Sequence, residues 1–151
     1  MLSKDYKIGR TFEEIEVGSS LQITENIEDK DLLLYLGLTN DNNPLYIQHE
    51  FAALTAYERP IVPTIMLSGI LTSAVSKYLP GPGSYITALS LTYPNALHHY
   101  ETLHMSLKVI KKIADTHELV IEVDGKNDEG VNILVGEINV VPPKKIDTAV
   151  K

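Results

Sequence analysis

The residues best suited to chemistry lie in one polar stretch, Asp41-Asn42-Asn43-Pro44-Leu45-Tyr46. A carboxylate there can take a proton from water, and a nearby phenol can donate one. The phenol is a poor base at neutral pH, because an unperturbed tyrosine titrates near pH 10. The stretch is also dense in Asn, Asp and Pro, so on residue types alone the plainer reading of Asp41 is an Asx-turn or a helix cap. Asn43 reads as structural, bonding loop backbone, and the Tyr46 ring reads as packing beneath the loop. His49 could bring an imidazole toward Tyr46; a solvent-facing place in a helix's first turn is its plainer reading. His98, His99 and His104 have the chemistry of metal ligands. His98 and His99 are adjacent in a turn-like stretch, and adjacent strand residues point to opposite faces. They read as surface or interface residues, and no metal site is expected.

The element that must position these groups is Thr64 to Leu79, TIMLSGILTSAVSKYL. Apolar residues cover more than one stripe of it, which predicts a helix buried around most of its circumference. Pro63 and Thr64 stand at its start, with Thr64 suited to the N-cap. Pro80-Gly81-Pro82-Gly83 stops it. It is too short and too interrupted by Ser, Thr and Lys to cross a bilayer, which takes about 20 apolar residues. Upstream, alternation predicts a strand near 19–27, and acidic residues leading an apolar run predict a short helix from Glu28 to Gly37. Residues 39–48 read as loop, His49 to Tyr57 as a short helix, and Glu58 to Pro63 as a stiff extended connection. Downstream the period changes to two. Strands are expected over Ser84–Tyr93, Thr102–Ile113, from Glu118, and over Val131–Val141, with a turn from Asp124 to Gly130. Short turns between long strands imply an antiparallel meander. The sum is α+β, a sheet curled around one long helix. Residues 1–10 and 143–151 read as peripheral arms.

The chain has 151 residues, 44% hydrophobic and 22% charged, which suits a single domain with a full core. It has no cysteine, which excludes disulfides, thiolate metal sites and cysteine nucleophiles. A formal net charge of −7 argues against a nucleic-acid surface, which needs a basic face. The opening MLSKDYKIGR lacks the apolar run of a signal peptide, so a soluble, cytoplasmic protein is expected.

Three blocks in register resemble the MaoC-like hydratases and dehydratases, which include the (R)-specific enoyl-CoA hydratases. They are Asn40 to Tyr46 (NDNNPLY), Arg59 to Met66 (RPIVPTIM) and Pro80 to Gly83 (PGPG). The family carries Gly-Asp-x-Asn-Pro-Leu-His, Ile-Val-His-Gly-Met and Pro-Gly-Pro-Gly, and the likeness spans roughly residues 10–142. The resemblance implies a hotdog fold and reversible addition of water to an α,β-unsaturated acyl thioester of coenzyme A or acyl carrier protein. It implies no cofactor. It assigns Asp41 as the base, the Thr64 N–H as donor to the thioester oxygen, and Tyr46 as the second acid/base group. Asn43, Pro63, Ile65 and Met66 would contact substrate. A helix amino end offers unpaired N–H donors and a positive dipole end, which suits a developing enolate.

The chain departs from the family at three of these places. Tyr46 replaces the catalytic His, Pro63 replaces the His of the helix-start motif, and Thr64 replaces its Gly. A catalytically impaired thioester-binding module or non-catalytic subunit, and a hotdog thioesterase, therefore stand beside the hydratase. Arg59, Lys77, Lys108, Lys111 and Lys112 could meet a coenzyme A phosphate. The resemblance also implies a homodimer or larger homo-oligomer, with no nucleic-acid or membrane partner.

Overall fold

A computed structural model describes residues 6–146. The elements run β1 (Ser20–Asn26), α1 (Asp29–Thr39), α2 (Pro44–Ile47), α3 (His49–Ala53), α4 (Thr64–Lys77), β2 (Tyr85–Thr92), β3 (Thr102–Ile113), β4 (Glu118–Lys126) and β5 (Asn132–Val141). One five-stranded antiparallel sheet has the order β1-β3-β4-β5-β2. This is the α+β arrangement that the periodicity predicts, with β3-β4-β5 as the meander. Bulges near Ile86/Ala88 and Val109/Lys111 add the local bend and twist by which a sheet curls.

The two periodicities meet in the core. Leu103, Met105, Leu107 and Val109 alternate inward on β3, and Leu119, Ile121 and Val123 do so on β4. Leu67, Leu71 and Val75, spaced by four on α4, join the same cluster. Burying each such side chain is worth about 1.5–3 kcal/mol.

Several expectations are corrected. Helix α4 is not buried around most of its circumference: Leu67, Ser68, Leu71, Ala74 and Val75 are buried, while Ile65 is 62% exposed and Met66 and Ile70 are half-buried. The sheet covers one side only. Thr64 is not the N-cap. Pro63 holds that position with φ −55° and ψ 134°, and no side chain caps the helix. The helix ends at Lys77, two residues early, with Tyr78 as C-cap. The stretch expected to be loop contains α2, because Asn43 caps it and Pro44 presets its first turn. Helix α3 stops at Ala53 rather than Tyr57, where the Thr55 hydroxyl donates to the Ala52 carbonyl at 2.7 Å. Asp124, Gly125 and Lys126 belong to β4, and the turn is confined to residues 127–131.

The arms are also corrected where they are described. Gly9 and Arg10 donate backbone bonds to the Pro82 and Pro80 carbonyls at 2.8 and 2.9 Å, so the first arm is pinned to the PGPG turn. A Cβ at Gly9 would lie 2.5 Å from the Pro80 oxygen, which explains the glycine. Pro143 is buried. The rest of the expected arms, residues 1–5 and 147–151, lies outside the described residues.

Candidate functional site

The loop after α1 is built by its own side chains. Asn40 ends the helix in the left-handed region, φ 54°, which Asn tolerates, and donates its N–H to the Leu36 carbonyl at 2.8 Å. The Thr39 hydroxyl donates to the Tyr35 carbonyl at 2.8 Å and accepts from the Asp41 N–H at 3.3 Å. Asp41 Oδ1 accepts from the Asn43 N–H at 3.4 Å, and Asn43 Oδ1 accepts from the Leu45 N–H at 3.1 Å. These are two successive Asx-turns, so the structural role read for both residues holds. The second oxygen of Asp41 has no partner among the hydrogen bonds of the described residues.

Tyr46 stands at the end of this loop, half-buried. Burial pushes its phenol above the ordinary tyrosine value, and the Asp41 carboxylate and Tyr35 push the same way. The phenol is therefore a proton donor across the neutral range. The Asp41 charge acts on the phenol and the Asn43 side chain acts on it in the opposite sense, so Asp41, Asn43 and Tyr46 lie near one another.

The connection into α4 is fixed from two sides. The Ile61 N–H donates to the Leu45 carbonyl at 3.0 Å, and the Val62 N–H donates to the Leu97 carbonyl at 2.7 Å. Pro63 is buried and Thr64 exposed. Because Pro63 has no side-chain acceptor, the first-turn N–H groups of α4 receive no side-chain cap. The Ser68 hydroxyl donates to the Thr64 carbonyl at 3.2 Å and meets the Tyr93 hydroxyl.

An apolar groove of about 530 Å³ runs between α1, α4 and β1. Ile65 and Met66 line it, opposite Leu34, Tyr35, Leu38 and Thr39. It follows α4 from Ile65 to Tyr78, roughly 20 Å at 1.5 Å per residue. Asp41, Asn43, Tyr46, Pro63 and Thr64 are not part of its wall, and Tyr46 lines a second cavity instead. Thr39 joins the two parts, since it lines the groove and bonds Asp41. Lys77 reaches the groove, whereas Arg59 pairs with Glu101 at 3.3 Å.

Sequence reading missed Tyr35 and Thr39. Their four-residue spacing puts them on one face of α1, which was a readable signal. It also misread His99, whose side chain is only 9% exposed and faces a second cavity. His98 is half-buried, and His104 is exposed and bonded to Asp128 at 2.6 Å. Among the described residues no group of three His, Asp or Glu side chains has metal-binding geometry.

No protein-family model matches the chain. An (R)-specific enoyl-CoA hydratase from Rhodospirillum rubrum is 25% identical over 148 residues, 95% of this chain and 99% of that enzyme. The solved structure of an (R)-hydratase from Aeromonas caviae, involved in PHA biosynthesis, superposes with TM-score 0.82 and 26% identity, covering 85% of this chain and 98% of that one. An unliganded R-hydratase from Pseudomonas aeruginosa superposes with TM-score 0.84 and 23% identity, covering 91% and 88%.

Proposed function

We propose, from the premise that this chain is a MaoC-like protein with the hotdog fold, that it is a hydro-lyase adding or removing water at the double bond of an α,β-unsaturated acyl thioester. The observation that carries the reading is an uncapped helix amino end whose first turn shares a groove with the anchor of a carboxylate-bearing loop. Asp41 takes a proton from water, and the water oxygen bonds to the β carbon. Negative charge moves to the thioester oxygen, where the Thr64 N–H donates to it. The Tyr46 phenol protonates the α carbon, and the proton on Asp41 restores the phenol. No cofactor enters this scheme. The acyl chain lies along Ile65 and Met66, and Asn43 and Pro63 hold the loop and the helix start in register.

Tyr46 also favours a second reading, a thioester-binding module of low turnover. Losing one positioned acid/base group costs on the order of 10²–10⁴ in rate. Hydration of crotonyl-CoA, followed by loss of the enoyl absorbance, separates the two. The hydro-lyase gives a rate that Asp41→Asn abolishes. No rate above background on short and medium enoyl chains would overturn it.

We also infer a homodimer of single-domain subunits. Ile65 and Leu89 stand 62% and 46% exposed on α4 and on the edge strand β2, an apolar face suited to a second copy. Light scattering that returns the mass of one chain would refute it. No helix among the described residues is long and apolar enough to cross a membrane. A cytoplasmic location is the proposal that accords with the lack of cysteine.

A further inference from the structure

A cavity of about 300 Å³ lies on the other side of α1 from the groove. Its wall is apolar at Leu32, Leu33, Ile47 and Pro60, and polar at Tyr46, His98, His99 and Arg59. His99 is the anomaly. Its side chain is more than nine-tenths buried, and neither ring nitrogen makes a hydrogen bond within the described residues. Nδ1 stands 3.5 Å from Asp29 Oδ1, a distance at which charge orients the ring without a bond forming. Burial strips both nitrogens of water without returning a bond, so a partner from outside the chain is called for.

The surroundings say what that partner offers. The Asp29 carboxylate accepts from the Tyr100 hydroxyl at 2.6 Å and faces Nδ1 of His99, so the proton of that ring belongs on Nδ1. His98 Nδ1 lies 3.1 Å from the Pro60 carbonyl, which can only accept, so that proton is also on Nδ1. With each of those protons on Nδ1, Nε2 is the nitrogen left to accept. Arg59 and the Tyr46 phenol supply donors to the same cavity. Asp29 disfavours a carboxylate or phosphate there, and Arg59 disfavours an ammonium group. A neutral group with one N–H and one C=O on a short alkyl stem matches these acceptors, donors and apolar side chains.

We propose that this cavity binds a secondary amide of the pantetheine arm through which coenzyme A or acyl carrier protein holds the acyl group. The amide N–H donates to His99 Nε2, its carbonyl accepts from Arg59, and its methylenes lie on Leu33 and Ile47. The assignment rests on the thioester reading above, and it gives the two hollows flanking α1 separate tasks. Pantetheine itself is the first probe, titrated against the full chain while the histidine ring nitrogens are followed by NMR. The His98 and His99 signals move, and affinity falls at least tenfold in His99→Leu. Leu33→Trp, at an exposed rim position that tolerates change, fills the cavity and causes the same loss. In turnover, both variants lose at least tenfold more kcat/KM on crotonyl-CoA or crotonyl-carrier protein than on crotonyl ethyl thioester, which has no amide. The carrier with the larger loss is the one the cavity serves. Unmoved histidine signals, or equal losses on all three thioesters, overturn the assignment. Pantetheine binding without turnover on any thioester would instead sink the hydro-lyase reading and leave the amide site standing.

Discussion

Replacing Tyr46 by His should raise the hydration rate. The phenol is held above its ordinary value near 10 by burial and by the Asp41 charge, so it is a weak acid for delivering a proton to the α carbon. A histidine with an ordinary pKa near 6.5 is about one-quarter imidazolium at pH 7, and that imidazolium is an acid stronger than the phenol by about 10³ or more. Brønsted behaviour converts only part of this acidity into rate, and the one-quarter population takes back a further factor of about four. A net increase of at least tenfold remains, about 1.4 kcal/mol off the barrier. The backbone is indifferent to the change, because α2 is held by the Asn43 cap, Pro44 and the bond from Ile61 to Leu45 rather than by the Tyr46 side chain. Initial rates of crotonyl-CoA hydration are compared at saturating substrate, with circular dichroism confirming the fold. A folded Tyr46→His protein no faster than the parent would refute the reasoning, because position 46 would then lie out of reach of the α carbon.

Ile70→Trp fills the middle of the groove beside α4 and should cut kcat/KM for medium-chain enoyl thioesters by tenfold or more while sparing the four-carbon one; a uniform effect on a chain-length panel would place the acyl chain elsewhere. The raised Tyr46 pKa means the folded state holds that proton longer than the unfolded one. Its contribution to stability is intact below about pH 10 and is lost as pH rises through the folded value, so Tyr46→Phe should flatten the alkaline limb of a Tm–pH profile. Pro63→Asp supplies a capping carboxylate worth about 1 kcal/mol to α4, yet sets a negative charge beside the developing enolate. Turnover should fall by about 10² or more without a matching fall in Tm, and parallel losses in the two measurements would argue that position 63 is structural only.

The sheet was legible because its signal is local. Strand β3 reads Leu103, Met105, Leu107, Val109 at period two, and those four residues are the ones the core takes. Helix α4 was legible as a helix but not in its burial. Its apolar residues include those facing the core and those facing the groove, and composition cannot separate a core wall from a ligand or subunit wall. The loop from Asn40 to Tyr46 announced its Asx-turns through its residue types. What could not be read was which distant groups it would meet. The Thr39–Asp41 bond lay two residues away and was findable. The pairing of Ile61 with Leu45, and of Val62 with Leu97, depends on how the connection crosses the sheet. His99 was misjudged for the same reason: its neighbours Asp29 and Tyr46 come from elements more than fifty residues earlier.

The departures from the family motif gather at one physical boundary. Pro63, Thr64 and Tyr46 all border places where polar capacity at or near the surface is unspent among the described residues: an uncapped helix end, a half-buried carboxylate with one oxygen unpartnered, and a phenol held in its protonated form. A chain that had drifted to a purely structural role would gain stability by closing these, since a cap alone returns about 1 kcal/mol at a single substitution. Here the Asx-turns fix the loop backbone while leaving one Asp41 oxygen without a partner among the described residues, and Pro63 fixes the helix start while offering it no acceptor. Rigid backbone combined with free polar atoms is the arrangement that transition-state stabilisation requires. That combination weighs toward turnover, and against a module that only holds its ligand.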